Sequence, residues 1–154
     1  MVHHKVLIRE KSKIGDFSSI GSMCDIEGNL TIGTYCSIHS NCHLCFGTTI
    51  GDYVFIAPFT VTTNGNPMGY KRPQLIEKFG GEKGPTIGSG CQIAVHVTIS
   101  PGITLGPECV VAANAVVTKD FEALSILMGT PAQKKGVVEE LHRLPEEIRK
   151  TIGL

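Results

Sequence analysis

A parallel β-helix, an all-β prism of very short strands and tight corners, is the fold this sequence predicts. Three observations carry the prediction: an aliphatic residue recurs at every sixth position, a small residue usually follows it, and the composition favours turns. The aliphatic series runs Ile8, Ile14, Ile20, Ile26, Ile32, Ile38, Leu44, Ile50, Ile56, and restarts as Ile87, Ile93, Ile99, Leu105, Val111, Val117. The next residue is often Gly or another small one, as in Gly15, Gly33, Gly51, Ala57, Gly88, Ala94, Gly106 and Ala112. Four positions after each aliphatic the residue is again mostly small or β-branched, with Leu30 and Phe121 as larger exceptions. A period of six matches neither the helical 3.6 nor a long alternation of two. It matches a short strand plus a corner, repeated. Eighteen glycines, no tryptophan and 18% charged residues suit such a chain.

Three six-residue units make one triangular coil of 18 residues. Residues 8–61 then supply three coils and residues 87–122 two, so the expectation is about five coils with one long loop over about 62–86. Stacked coils stand about 4.8 Å apart, and each touches only its neighbours, so the ends need covers. The tail after the last coil reads as helix over roughly 137–152, broken or kinked near Pro145. Glu146 and Glu147 suit the positive end of a helix dipole, and Arg149 and Lys150 the negative end. The organisation expected is a β-helix over 1–136 and a helical tail over 137–154, within one domain.

Lys plus Arg equals Asp plus Glu at 14 each, so the formal net charge is zero. That gives no electrostatic footprint for nucleic acid or an anionic membrane. No apolar run has signal-peptide length, and none approaches the roughly 18 residues of a membrane span. The expectation is a cytoplasmic protein. Five of the six cysteines (Cys24, Cys36, Cys42, Cys91, Cys109) fall on the small interior position and read as structural thiols. Cys45 lies off that position and reads as more accessible. Among the histidines, His39, His43 and His96 occupy outward positions. His43 falls one coil below Val61, at the corner where the loop leaves; His39 is placed on the same strand, and His96 on another face.

The ending GCQIAVHVTISPGITLGPECVVAANAVVTKDFEALSILMGTPAQKKG, together with the repeat, resembles the left-handed β-helix acyltransferases. SPGITLG is similar to their PGVTIG, NAVVTKD to their SVVTKD, and MGTPAQK to their GNPAR or GNPAK ending. The resemblance covers about residues 8–136. It implies a left-handed prism, a homotrimer with sites between subunits, and acetyl-CoA as acyl donor in a groove between two prisms. By position within the motifs it assigns Ala94, Ala112 and Lys119 to that groove, and Pro131 and Lys134 to the nucleotide part. Gln133 stands where the family has Arg or Lys.

The loop bears on the acceptor. Maltose and galactoside acetyltransferases carry a His there as base for a sugar hydroxyl; aligned without gaps, that position is Pro67 here. VFIAPFTVTTNGNP is more similar to the loop entry of nucleotide-linked 3-amino-sugar N-acetyltransferases, which places Asn64 on their loop Asn. Asn cannot act as a base, and a neutral amine needs none to attack a thioester. Lys71 and Arg72 are candidates for an acceptor's phosphates. The family's acidic residue before the loop falls on Gly51; the neighbouring Asp52 reads as a structural corner residue. The first expectation is therefore an acetyl-CoA-dependent N-acetyltransferase of an amino sugar, nucleotide-linked, serving cell-surface polysaccharide synthesis. Two alternatives stand beside it: a sugar or small-molecule O-acetyltransferase using His43, His39 or His96 as base, and a non-enzymatic or metal-binding hexapeptide trimer. No metal site is assigned.

Overall fold

The computed structural model describes residues 1–65, 71–78 and 81–154. The chain winds upward through three parallel sheets. The first coil contributes β1 (Leu7–Ile8), β2 (Lys13–Ile14) and β3 (Ser19–Ile20). The second gives β4 (Asp25–Ile26), β5 (Thr31–Ile32) and β6 (Ser37–Ile38), and the third β7 (His43–Leu44), β8 (Thr49–Ile50) and β9 (Phe55–Ile56). The fourth begins with β10 (Val61–Thr62), is interrupted by the loop with its helix α1 (Pro73–Lys78), and resumes with β11 (Thr86–Ile87) and β12 (Gln92–Ile93). Above it lie β13 (Thr98–Ile99), β14 (Thr104–Leu105) and β15 (Val110–Val111), then β16 (Val116–Val117) and β17 (Ser125–Met128). The first face is the ladder β1-β4-β7-β10-β13-β16, the second stacks β2, β5, β8, β11 and β14, and the third runs from β3 to β17.

The coil count is about six rather than five. Counting aliphatics passes over two inward residues. Thr62 is polar yet 1% exposed, and it makes Val61–Thr62 the first side of a fourth coil. Leu127, 0% exposed, closes a sixth, whose second side is only the bridge Leu105↔Phe121. The loop therefore opens one corner inside a coil, between the first and second faces, and does not separate whole coils.

The inward aliphatics from Ile20 to Leu127 form one continuous buried core. The small interior position has a second use. Ser18 Oγ donates to the Gly33 carbonyl (2.7 Å), Cys24 Sγ to His39 (3.0 Å), Cys36 Sγ to Gly51 (3.0 Å), Cys91 Sγ to Gly106 (3.2 Å) and Cys109 Sγ to Glu122 (3.2 Å). Each acceptor is a corner carbonyl of the coil above. A small side chain with one weak donor fills the corner and satisfies a buried acceptor. All six thiols are free and buried. That includes Cys45, which is 2% exposed, contrary to the sequence expectation. Its thiol packs against the Thr48 and Thr62 hydroxyls under the root of the loop. Burial pushes the Cys36 and Cys45 thiols above their ordinary value.

The tail is partly strand. β18 (Gln133–Val137) pairs antiparallel with β17, from Ser125↔Val137 to Met128↔Gln133. A 3-10 turn at Glu140–His142 follows, and helix α2 spans only Glu146–Thr151. The third face ends at the top in an open strand edge, which pairs with Gln133–Val137, so the helix expected from about residue 137 does not start there. The chain then turns back down the corner between the second and third faces. There the Leu144 N–H donates to Glu108 Oε1 at 2.7 Å. The Leu144 side chain enters the notch left by Gly90, where an added Cβ would stand 2.9 Å from it.

Candidate functional site

The corner between the first and second faces carries the loop. Below the loop root it holds Lys11, Asn29 and Gly47 in the left-handed backbone region, at φ 60, 43 and 76°. The loop is tied at its base. Gly65 and Glu82 form an antiparallel bridge, the Lys83 N–H donates to the Asn64 carbonyl (2.8 Å), and the Gly102 N–H donates to the Lys83 carbonyl (2.8 Å). Gly84 makes the return possible: a Cβ there would lie 2.3 Å from the Thr48 nitrogen. Asn64, half-buried, is thus held where the loop departs. Lys71 and Arg72 are exposed and immediately precede α1. Pro67 lies outside the described residues.

His43 stands on β7 directly beneath Val61, as the sequence register requires. Directly beneath His43 is Asp25. His43 Nδ1 lies 3.8 Å from Asp25 Oδ2, and Nε2 lies 3.4 Å from Glu27 Oε1. Arg9 completes the cluster, 3.1 Å from Asp25 and 3.8 Å from Glu27. The Phe46 N–H donates to the second Glu27 oxygen at 3.0 Å. Beside these groups, down the same corner, is a recess of about 340 Å³ bounded by Arg9, Lys11, Glu27, Asn29 and Phe46. Sequence reasoning missed Asp25 and Glu27. The signal was present: one coil is 18 residues, so position 25 underlies position 43.

His39 is not on the strand of His43. It follows β6 at the corner between the third and first faces, edge-on to Phe55 at 4.9 Å. His96 sits on that same corner, higher up the prism, stacked on Phe59 at 4.9 Å. Asp52 is structural, as expected: the Thr34 N–H and hydroxyl donate to its Oδ1 at 2.7 and 2.9 Å.

The residues assigned to the acyl donor lie elsewhere. Ala94 and Ala112 stack on the third face and line a shallow groove of about 250 Å³ with Phe55, Gln92 and Val110. Pro131 belongs to the turn between β17 and β18, and Lys134 Nζ is 2.5 Å from Glu122 Oε1. Lys119 follows β16, with its ammonium 5.5 Å from the Phe121 ring centroid. One prism therefore does not bring Asn64 and His43 together with Ala94 and Ala112: they occupy different faces. Among the described residues, no three His, Cys, Asp or Glu side chains are grouped so as to hold a metal, and no helix is long and apolar enough to cross a membrane.

The described geometry has relatives. Residues 84–119 match the family model of the bacterial transferase hexapeptide, six repeats. The galactoside O-acetyltransferase of Escherichia coli is 34% identical over 92 residues, 59% of this chain and 43% of that protein. The chain thus spans less than half the length of this curated relative. A hexapeptide-repeat acetyltransferase of Vibrio cholerae, crystallised with acetyl coenzyme A, superposes with a TM-score of 0.67 at 25% identity, over 89% of this chain and 73% of that one. A histidine-to-asparagine mutant of perosamine N-acetyltransferase from Caulobacter crescentus, in complex with CoA and GDP-perosamine, superposes with a TM-score of 0.73 at 18% identity, over 88% of this chain and 55% of that one. The six-residue period and the three parallel sheets are those of a left-handed parallel β-helix, and residues 84–119 carry the hexapeptide repeat.

Proposed function

We propose that the chain is an acetyl-CoA-dependent N-acetyltransferase whose acceptor is an amino sugar, nucleotide-linked, for cell-surface polysaccharide synthesis. The observation that carries the amine reading is the placement of His43. Both of its ring nitrogens face carboxylate oxygens, at 3.8 and 3.4 Å. Those spacings are longer than hydrogen bonds and set both edges of the ring against the acidic cluster below the loop, and an amine acceptor needs no base there before it attacks. Asn64, held at the loop root, presents an amide that can both donate and accept. The neighbouring recess offers carboxylate, amide and cationic groups beside the Phe46 ring, a mixed lining that suits a polar ring bearing an amine.

The third face fits the donor. Ala94 and Ala112 keep the groove shallow, so that an extended pantetheine arm reaches backbone, while Phe55 and Val110 give it apolar walls. Acetyl-CoA supplies the activated acyl group; the chain supplies position. Lys134 and Pro131, at the top of that face, are where its nucleotide end would lie. Because the groove and Asn64 are on different faces, the complete site forms between copies of the chain, as in a homotrimer. Lys71 and Arg72, just before α1, serve the acceptor's phosphates.

A second reading is favoured by the galactoside O-acetyltransferase relative: a hydroxyl acceptor, with His43 as base oriented by Asp25, or with His39 or His96 from a neighbouring copy. Release of CoA thiol from acetyl-CoA, measured over a panel of amino sugars and their hydroxyl analogues, decides. Release with amines alone is expected. Release with hydroxyl compounds alone transfers the case to the second reading, and no release with any acceptor ends both.

A further inference from the structure

On the first face a simple rule governs the ladder. The N–H that follows each inward residue donates to the carbonyl of the inward residue one coil above. Arg9 donates to Ile26 (2.9 Å), Glu27 to Leu44 (2.9 Å), Thr63 to Ile99 (3.0 Å) and Ser100 to Val117 (2.9 Å). Cys45 departs from the rule. Its N–H donates to the side-chain hydroxyl of Thr62 at 2.8 Å, not to a carbonyl. The strands agree: β7 and β10 pair only at His43↔Val61, while β4 and β7 pair at both residues.

The same hydroxyl lies 3.1 Å from Thr48 Oγ1 and 3.2 Å from Cys45 Sγ, and Thr48 Oγ1 donates to the Cys45 carbonyl at 2.8 Å. Thr48, Thr62 and Cys45 are 0, 1 and 2% exposed. An aliphatic residue at position 62 would continue the period but would leave a buried N–H without a partner. Thr62 keeps the β-branched shape of its aliphatic counterparts and adds the missing acceptor. Its backbone is thereby released from the ladder below, two residues before Asn64.

We infer that Thr62 is a positioning residue: its hydroxyl stands in for a ladder carbonyl, fixes where the loop leaves the prism, and so places Asn64. The consequence for turnover rests on the acetyltransferase reading; the structural half does not. The test compares Thr62→Val with Thr62→Ser in the full chain, by amide hydrogen exchange and by CoA release. Thr62→Val is expected to speed exchange of the Cys45 amide about tenfold or more. It is also expected to lower kcat by about tenfold to a hundredfold, with the KM for acetyl-CoA little changed because the groove on the third face is untouched. Thr62→Ser is expected to restore both. Unchanged exchange in Thr62→Val overturns the assignment. So does a Thr62→Ser chain as impaired as Thr62→Val, which would put the effect in the methyl group. So does a Thr62→Val chain that cannot fold while Thr62→Ser can, since the hydroxyl would then serve the whole prism. If the wild-type chain releases no thiol with any acceptor, the acetyltransferase reading falls, and exchange at Cys45 alone still decides the role of Thr62.

Discussion

Two corners of the prism make the same backbone turn and carry opposite loads. Between the second and third faces, Phe17, Tyr35 and Tyr53 stack ring on ring at 4.8 and 4.9 Å. Above them come Gly90 and Glu108, and the tail closes the column with Leu144. Between the first and second faces the equivalent positions are Lys11, Asn29 and Gly47, and one turn higher the chain leaves altogether. The first corner packs its side chains on each other. The second leaves them open and is the one beside His43, Asn64 and the recess. A repeat fixes backbone geometry so firmly that each corner can be assigned to packing or to chemistry by side chains alone.

This contrast can be broken from either side. The largest effect is expected from Gly84→Val, because the loop return has no room: the new Cβ would meet the Thr48 nitrogen at 2.3 Å and the Gly47 carbonyl carbon at 2.4 Å. Those atoms are backbone, so the loss in denaturant-measured stability should exceed the roughly 1–3 kcal/mol common for overpacking. Asn64→Ala should leave stability nearly intact and lower kcat/KM by about a hundredfold, about 2.7 kcal/mol, while His43→Ala keeps a substantial part of the activity. The reverse ranking would favour the hydroxyl acceptor. On the packing corner, Glu108→Ala should cost about 1–3 kcal/mol by stranding the Leu144 N–H, and Glu108→Gln, which keeps an acceptor, much less. Tyr35→Ala removes both ring contacts and should cost about 1–3 kcal/mol in thermal or chemical unfolding, with turnover unchanged.

The smallest effect at neutral pH belongs to the thiols. Burial raises Cys36 and Cys45 above the ordinary value of 9.0. Unfolded thiols ionise first as pH rises, so the folded state then holds more protons than the unfolded one and stability falls. Their contribution should be complete below about pH 9 and decline above it, seen as a denaturation midpoint that drops in alkaline buffer.

How much of this was legible beforehand depends on which atoms carried the signal. The inward ladder was readable because burial at every sixth residue demands aliphatic side chains. The loop was readable because it violates that demand, and so was its root, where the family resemblance puts Asn64. Thr62 was not, since a polar residue satisfies the period only once its partner, the Cys45 N–H, is known. Cys45 read as accessible for the same reason: its environment is made by the chain leaving, not by the repeat. Asp25 and Glu27 required asking what lies one coil below His43, a vertical question that a linear pattern does not raise. In the tail, charge pattern argued for helix from Val137, while the open edge of β17, a tertiary feature, drew residues 133–137 into a strand.

The hidden thiols have a practical consequence. With all six cysteines at 2% exposure or less, the folded chain should be silent toward a thiol-reactive dye. The colour in a turnover assay would then report only the CoA released. The same dye, added to the protein alone while denaturant rises, would count the molecules that have opened, so one reagent reads both catalysis and unfolding on the unmodified chain.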